Sequence, residues 1–257
     1  MKFLQSLSAQ VSLFTQGAIL SLGVVFILLD VITESLNPVI DLAWVTVLVC
    51  GLPLLINSVQ SIWERLEIHA NFLIVVAMVA LISNGDYHTA AYVGLIVQAG
   101  FFLEQLITGE SHYTVDDDML PTMPAQLVAM RQGINNYSSV IVVAVLLLSM
   151  GSFALTQDFI HTVTLLLVLC PCSLELILVA LMMGSLVDDA SPVSELSKGT
   201  KQSHLGLLIV SIVFHVAIIC VGVLGLIAPV TAVALHGLAR LGLVYNLKVL
   251  NGSLCVA

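Results

Sequence analysis

The sequence predicts an all-α polytopic membrane protein, a bundle of about eight transmembrane helices forming a single transmembrane domain over residues 1–257. Three observations predict it. Of the 257 residues, 59% are hydrophobic and only 9% charged, and the mean hydropathy is +1.11. A soluble domain carries about a quarter charged residues, so too few polar side chains exist here to coat a surface in water. Apolar runs of about 20 residues, the length that crosses a bilayer as a helix, recur along nearly the whole chain. The roughly ten-residue segments of alternating polarity that build a membrane barrel are absent.

The spans fall at roughly 12–33, 40–61, 66–83, 88–108, 138–157, 161–187, 205–224 and 228–249. The leading MKFLQSLSAQ lacks a strong basic start and a small-residue cleavage site, so no removable signal peptide is expected. Three connections are short: SNGDYH at 83–88, LTQDFIH at 155–161 and GLIAP at 225–229. Two longer polar stretches, 109–137 and 188–204, are expected as short cytoplasmic loops. No internal repeat or low-complexity tract interrupts this pattern.

Positive charge sets the orientation. With the N-terminus inside, Lys2, Arg65, Arg131, Lys198, Lys201 and Lys248 all fall on cytoplasmic segments, and Arg240 lies in the inner half of the last span. The outer turns hold Asp86 and Asp158 but no Lys or Arg. A plasma (inner) membrane protein with both termini cytoplasmic is therefore expected. The net charge of −9, from 16 acidic and 7 basic residues, disfavours nucleic acid and supplies no polybasic lipid anchor. Of the five cysteines, four lie in apolar segments and Cys255 lies near the C-terminus, a spacing that makes no disulfide framework.

The strongest local pattern is CPCSLELILVALMMG at 170–184. Pro171 cannot donate to a helix ladder and frees a carbonyl near residue 167. Cys170 and Cys172 flank that distortion at roughly 15 Å depth, near the bilayer centre. Two thiolates beside an unwound turn suit a soft or borderline metal such as Cu(I) or Zn(II). The same pair also reads as small hydrophobes packed beside a kink. His215 and His236 lie at similar depth and could complete a Cys2His2 set, or each could simply make an interhelical hydrogen bond to a backbone carbonyl. Glu175 and Arg240 match in depth, and both are costly in hydrocarbon unless paired. Glu175 could instead release a cation or a proton. Glu104, near the inner end of the fourth span, can receive a cation from the cytoplasm or simply be solvated.

Other polar residues carry less. TGES at 108–111 sits just past a span, and Asp116, Asp117 and Asp118 read as a solvated loop face. His69, His88, His112, His161 and His204 lie near interfaces, where a wet imidazole needs no special role. Trp44 is expected to pack, and Trp63 to anchor at the interface.

Taken in order, these segments resemble the membrane domain of heavy-metal-transporting (CPx-type) P-type ATPases over most of residues 40–250. CPCSLELILVALMMG resembles the family's CPCALGLATPTAIMVG helix. GLPLLINSVQSIW and SNGDYHTAAYVGLIVQAGFFLEQ resemble its kinked G-x-P helix and following G-x-Y-x-x-AA…LE hairpin. MLPTMPAQLVAMRQG and LSKGTKQSHLG are similar to the segments leading into its actuator domain and out of its phosphorylation domain. GLIAPVTAVALHGLARLGLVYNLKVL resembles its last helix. The departures are that DKTGT and GDGxND are missing and that the loops are too short for actuator or nucleotide-binding domains. Val179 replaces a usual proline, Glu175 replaces a usual glycine, and His215 stands where the family has Asn or Lys.

The resemblance implies transition-metal binding and translocation without ATPase machinery, hence no enzymatic activity unless another chain supplies it. Cys170, Cys172 and His236 would ligate, His215 would assist, Glu104 would admit the ion, Arg240 would neutralise Glu175, and Pro171 would kink the helix. The cargo expected is a transition-metal ion, Zn(II) ahead of Cu(I). The expected partners are the lipid bilayer, the metal ion and a soluble or membrane partner protein. Two alternatives stand beside this: a non-transporting scaffold of a membrane complex, and the membrane half of a split metal ATPase.

Overall fold

The structure is a computed structural model that describes residues 13–34, 42–65, 70–108, 125–170 and 196–254. Among the described residues it is all-helical, with eight helices and no strand. They are α1 (Leu13–Glu34), α2 (Ala43–Arg65), α3 (Ala70–Ser83), α4 (Tyr87–Thr108), α5 (Ala125–Thr156), α6 (Phe159–Val168), α7 (Leu196–Val223) and α8 (Pro229–Leu254).

Among the described residues, three helices contain segments long and apolar enough to cross a membrane: Phe14–Ile32, Ala43–Trp63 and Tyr137–Thr156, of 19, 21 and 20 residues. Asn71–Ser83, Phe159–Val168, Ile209–Val223 and Pro229–Tyr245 are shorter apolar helices. Large hydrophobic side chains such as Leu28, Val140, Leu147, Val210 and Leu238 face outward, the surface that lipid rather than water accepts.

Two boundaries differ from the sequence expectation. α5 begins at Ala125 and α7 at Leu196, so parts of the polar stretches 109–137 and 188–204 are helical rather than loop. Extending an existing helix adds one hydrogen bond per residue fixed, so polar residues prolong it beyond its apolar part at little cost. Within the sixth span, expected over 161–187, α6 runs from Phe159 to Val168, and the part after Cys170 lies outside the described residues.

The short turns form where the sequence places them. Gly85 takes φ +83° and Gly225 φ +69°, left-handed values that glycine adopts without a Cβ clash. Asp86 accepts the Thr89 amide at 3.1 Å, and Asp158 accepts the His161 amide at 3.0 Å. Each carboxylate thereby satisfies an amide that the first helical turn leaves open.

Tertiary contacts put α4 at the centre, against α1, α2, α3 and α8, while α6 packs on α3, α5, α7 and α8. The main core joins Leu73, Leu81, Val93, Val142, Val163, Leu167 and Val233. Small residues permit the closest approaches. A Cβ on Gly23 would stand 2.8 Å from Cys50 Sγ, and one on Gly222 would stand 2.9 Å from Val168 Cγ2, as in bundles whose backbones meet through small residues. At one end, Asp30 Oδ1 accepts the Leu42 amide at 2.9 Å while Oδ2 lies 3.2 Å from His88 Nδ1. That carboxylate ties α1 to the starts of α2 and α4. His161 Nε2 likewise joins α6 to the Val223 carbonyl of α7 at 3.1 Å. His88 and His161 thus take structural roles. Trp44 packs on Tyr87 with centroids 4.8 Å apart, and Trp63 is exposed.

Candidate intramembrane site

The site begins where α6 stops. The Leu169 amide reaches back to the Leu165 carbonyl, closing the last turn, and Cys170 stands outside the helical ladder. Pro171 follows, and the residue before a proline is sterically pushed away from helical geometry. The break therefore falls on the N-terminal side of the proline and leaves Cys170, 5% exposed, at the core.

Cys170 lines a cavity of about 50 Å³ together with His236, Arg240, Gly100 and Gly237. Its remaining walls are apolar, among them Ile74 of α3, Ile96 and Val97 of α4, and Leu167. A volume of this size holds one ion or roughly three waters. Cys170 is disulfide-bonded, so in this form it presents no thiolate. The cysteine spacing gave no reason to expect that bond.

His236 is 8% exposed, and among the described residues neither of its ring nitrogens has a hydrogen-bond partner. Leaving a buried donor or acceptor unsatisfied costs about 1–3 kcal/mol, so such a group is an exception that calls for a ligand or a water. His215 packs against it, with ring centroids 5.1 Å apart and planes at 77°. His215 Nδ1 lies 3.2 Å from the Ser211 carbonyl. A carbonyl only accepts, so Nδ1 carries the proton and Nε2 of the neutral ring offers a lone pair. That Nε2 is also buried without a partner. Among the described residues, the interhelical carbonyl bond expected as the alternative for both histidines is absent: His215 bonds within its own helix, and the ring nitrogens of His236 have no partner.

Arg240 pairs with Glu104, its Nη2 donating to Oε2 at 3.0 Å and to Oε1 at 3.3 Å. The guanidinium carbon stands 5.3 Å over the Phe101 ring, a cation–π distance. Its Nε is buried without a partner. Glu175, the partner expected from the sequence, lies outside the described residues, as do Pro171 and Cys172. The pairing with Glu104 was missed: Glu104 lies four residues from the end of α4 and Arg240 near the middle of α8, so position along each helix does not by itself suggest it.

The fold thus brings Cys170, His236 and Arg240 to one cavity, His215 against His236, and Glu104 against Arg240. Among the described residues, no group of three or more His, Cys, Asp or Glu side chains is assembled to hold a metal ion. Gly109 to Ser111 of TGES, the Asp116–Asp118 run, His69 and His112 lie outside the described residues. No family model, no curated protein and no solved structure matches the chain.

Proposed function

We propose that this chain binds a transition-metal cation inside its helix bundle and passes it across the membrane, as a relative of the heavy-metal P-type ATPase membrane domain without ATPase machinery. One observation carries the reading. His236, buried with both ring nitrogens unpartnered, lines the cavity that Cys170 also lines. The 5.1 Å spacing to His215 supports it, because two imidazoles on one tetrahedral ion hold their centroids ~5 Å apart. Reduction of the Cys170 disulfide supplies a thiolate, and Cys172 a second. A mixed sulfur and nitrogen set suits Zn(II) ahead of Cu(I).

Cations would enter from the cytoplasm past Glu104, reach the cysteine and histidine ligands, and leave towards the outer turns. Without a phosphorylation motif the chain hydrolyses no ATP, and movement follows the ion's own gradient or a coupled one. The reading places the protein in the plasma (inner) membrane with both termini cytoplasmic. The scaffold alternative draws on a different observation, that no three-ligand group is assembled among the described residues.

The test is metal content by mass spectrometry on detergent-purified protein, loaded under reductant, beside Cys170→Ser/Cys172→Ser and His236→Ala variants. Near-stoichiometric zinc or copper, lost in the variants, supports the reading. Absence of metal from folded, reduced wild-type protein overturns it and leaves the scaffold reading in front.

A further inference from the structure

The Glu104–Arg240 pair bears on which cations reach the cavity. Arg240 lies one helical turn beyond His236 on α8, and Glu104 one turn beyond Gly100 on α4, while His236 and Gly100 both line the cavity. The pair therefore spans α4 and α8 on the same side of the cavity. Its guanidinium is held from two directions, by the carboxylate at 3.0 Å and by the Phe101 ring at 5.3 Å. Both side chains keep some exposure, 23% for Arg240 and 20% for Glu104, so an arriving ion can reach the carboxylate.

We propose that Arg240 is a tethered monovalent competitor for Glu104, making this carboxylate admit divalent cations in preference to monovalent ones. The proposal rests on the reading of the bundle as a cation path and narrows its cargo to divalent ions. A free monovalent cation that replaces the guanidinium brings no extra charge. It must also displace a group whose effective concentration, because it is held in place, far exceeds that of a dissolved ion. A divalent ion brings twice the charge to the same oxygens, in surroundings less polarisable than water, where that difference counts for more. The displaced guanidinium keeps its contact with Phe101, so the exchange does not strand it wholly without a partner. Arg240 is in this sense a specificity-determining residue. It touches no bound ion and acts by occupying the carboxylate first.

The experiment compares zinc and potassium uptake into lipid vesicles holding the full reduced chain, as wild type, Arg240→Gln and Arg240→Lys. Wild type is expected to pass zinc with potassium uptake near that of empty vesicles. Arg240→Gln should raise potassium uptake by about tenfold or more, because the carboxylate loses its resident charge. Arg240→Lys should give an intermediate leak, since an ammonium keeps the charge but loses the planar two-sided hold. Gel filtration checks folding, and Arg240→Lys carries the comparison if Arg240→Gln does not fold. A folded variant whose potassium uptake stays at the wild-type level overturns the proposal, and zinc uptake that persists leaves the cation-path reading standing. Potassium leak in Arg240→Gln with no zinc uptake by wild type overturns the proposal, since no divalent ion is admitted, and sinks the metal reading with it. Vesicles that pass neither ion in any form overturn both.

Discussion

The imidazole rings of His215 and His236 meet edge to face, 5.1 Å between centroids, in the interior of the bundle. One ring is anchored through Nδ1 to the Ser211 carbonyl, and the other is held by packing alone. Such an arrangement gives up hydrogen bonds that a purely structural core would keep, and it supplies lone pairs at a place where few other ligands are available.

That cost is measurable. Replacing His236 with leucine removes two buried unpartnered nitrogens, so thermal unfolding in detergent should show the variant unchanged or stabilised by about 1–3 kcal/mol. The same variant should lose bound metal. A large drop in melting temperature with metal retained would show that the ring serves packing only.

The disulfide at Cys170 predicts redox-dependent binding. Untreated protein should label with maleimide at Cys220, which is exposed, and slowly at Cys50, which is buried. Label should reach Cys170 only after reductant, and zinc binding should appear in the same step, because the thiolate is the ligand. Equal zinc binding before and after reduction would remove Cys170 from the site.

Contact between α6 and α7 depends on Gly222. Gly222→Ala puts a methyl 2.9 Å from Val168 Cγ2 and should cost about 1–3 kcal/mol in unfolding. Val168→Ala in the same chain should recover part of that loss, since it removes the atom met first. Failure of the second change to help would place the strain elsewhere.

At the opposite edge of the bundle, Asp30→Ala should free the Leu42 amide and speed its hydrogen exchange, with about 1–3 kcal/mol lost from stability. His88→Ala should cost less, because its ring is half exposed while Asp30 is buried. Equal effects of the two changes would mean that the contact with His88 of α4, and not the amide bond at the start of α2, carries what Asp30 contributes.

Much of the helical layout was legible from apolar run length. The turns at 83–88 and 155–161 were plain as polar strings between apolar runs, and in the structure their Asp86 and Asp158 cap the helices that follow. The early starts of α5 and α7 were not legible, because polar residues prolong a helix past its apolar part without any break in its hydrogen bonds. Of the candidate site, the positions of Cys170, His215, His236 and Arg240 within their apolar runs could be read along the chain. The partner of Arg240 could not, because depth fixes position along a helix but not which neighbour its side chain faces.

By itself, then, the sequence determined that the described residues are all-helical with an apolar surface that suits lipid, and that cysteine and histidine stand within its apolar runs. Hydrophobic length and residue spacing are local properties, and counting along the chain reads them. Only the tertiary structure decided that Cys170 and His236 share one cavity, that His215 lies against His236, and that Arg240 closes on Glu104. Those meetings depend on how α4, α6, α7 and α8 rotate and pack against one another, and the close approaches at residues such as Gly222 set that packing.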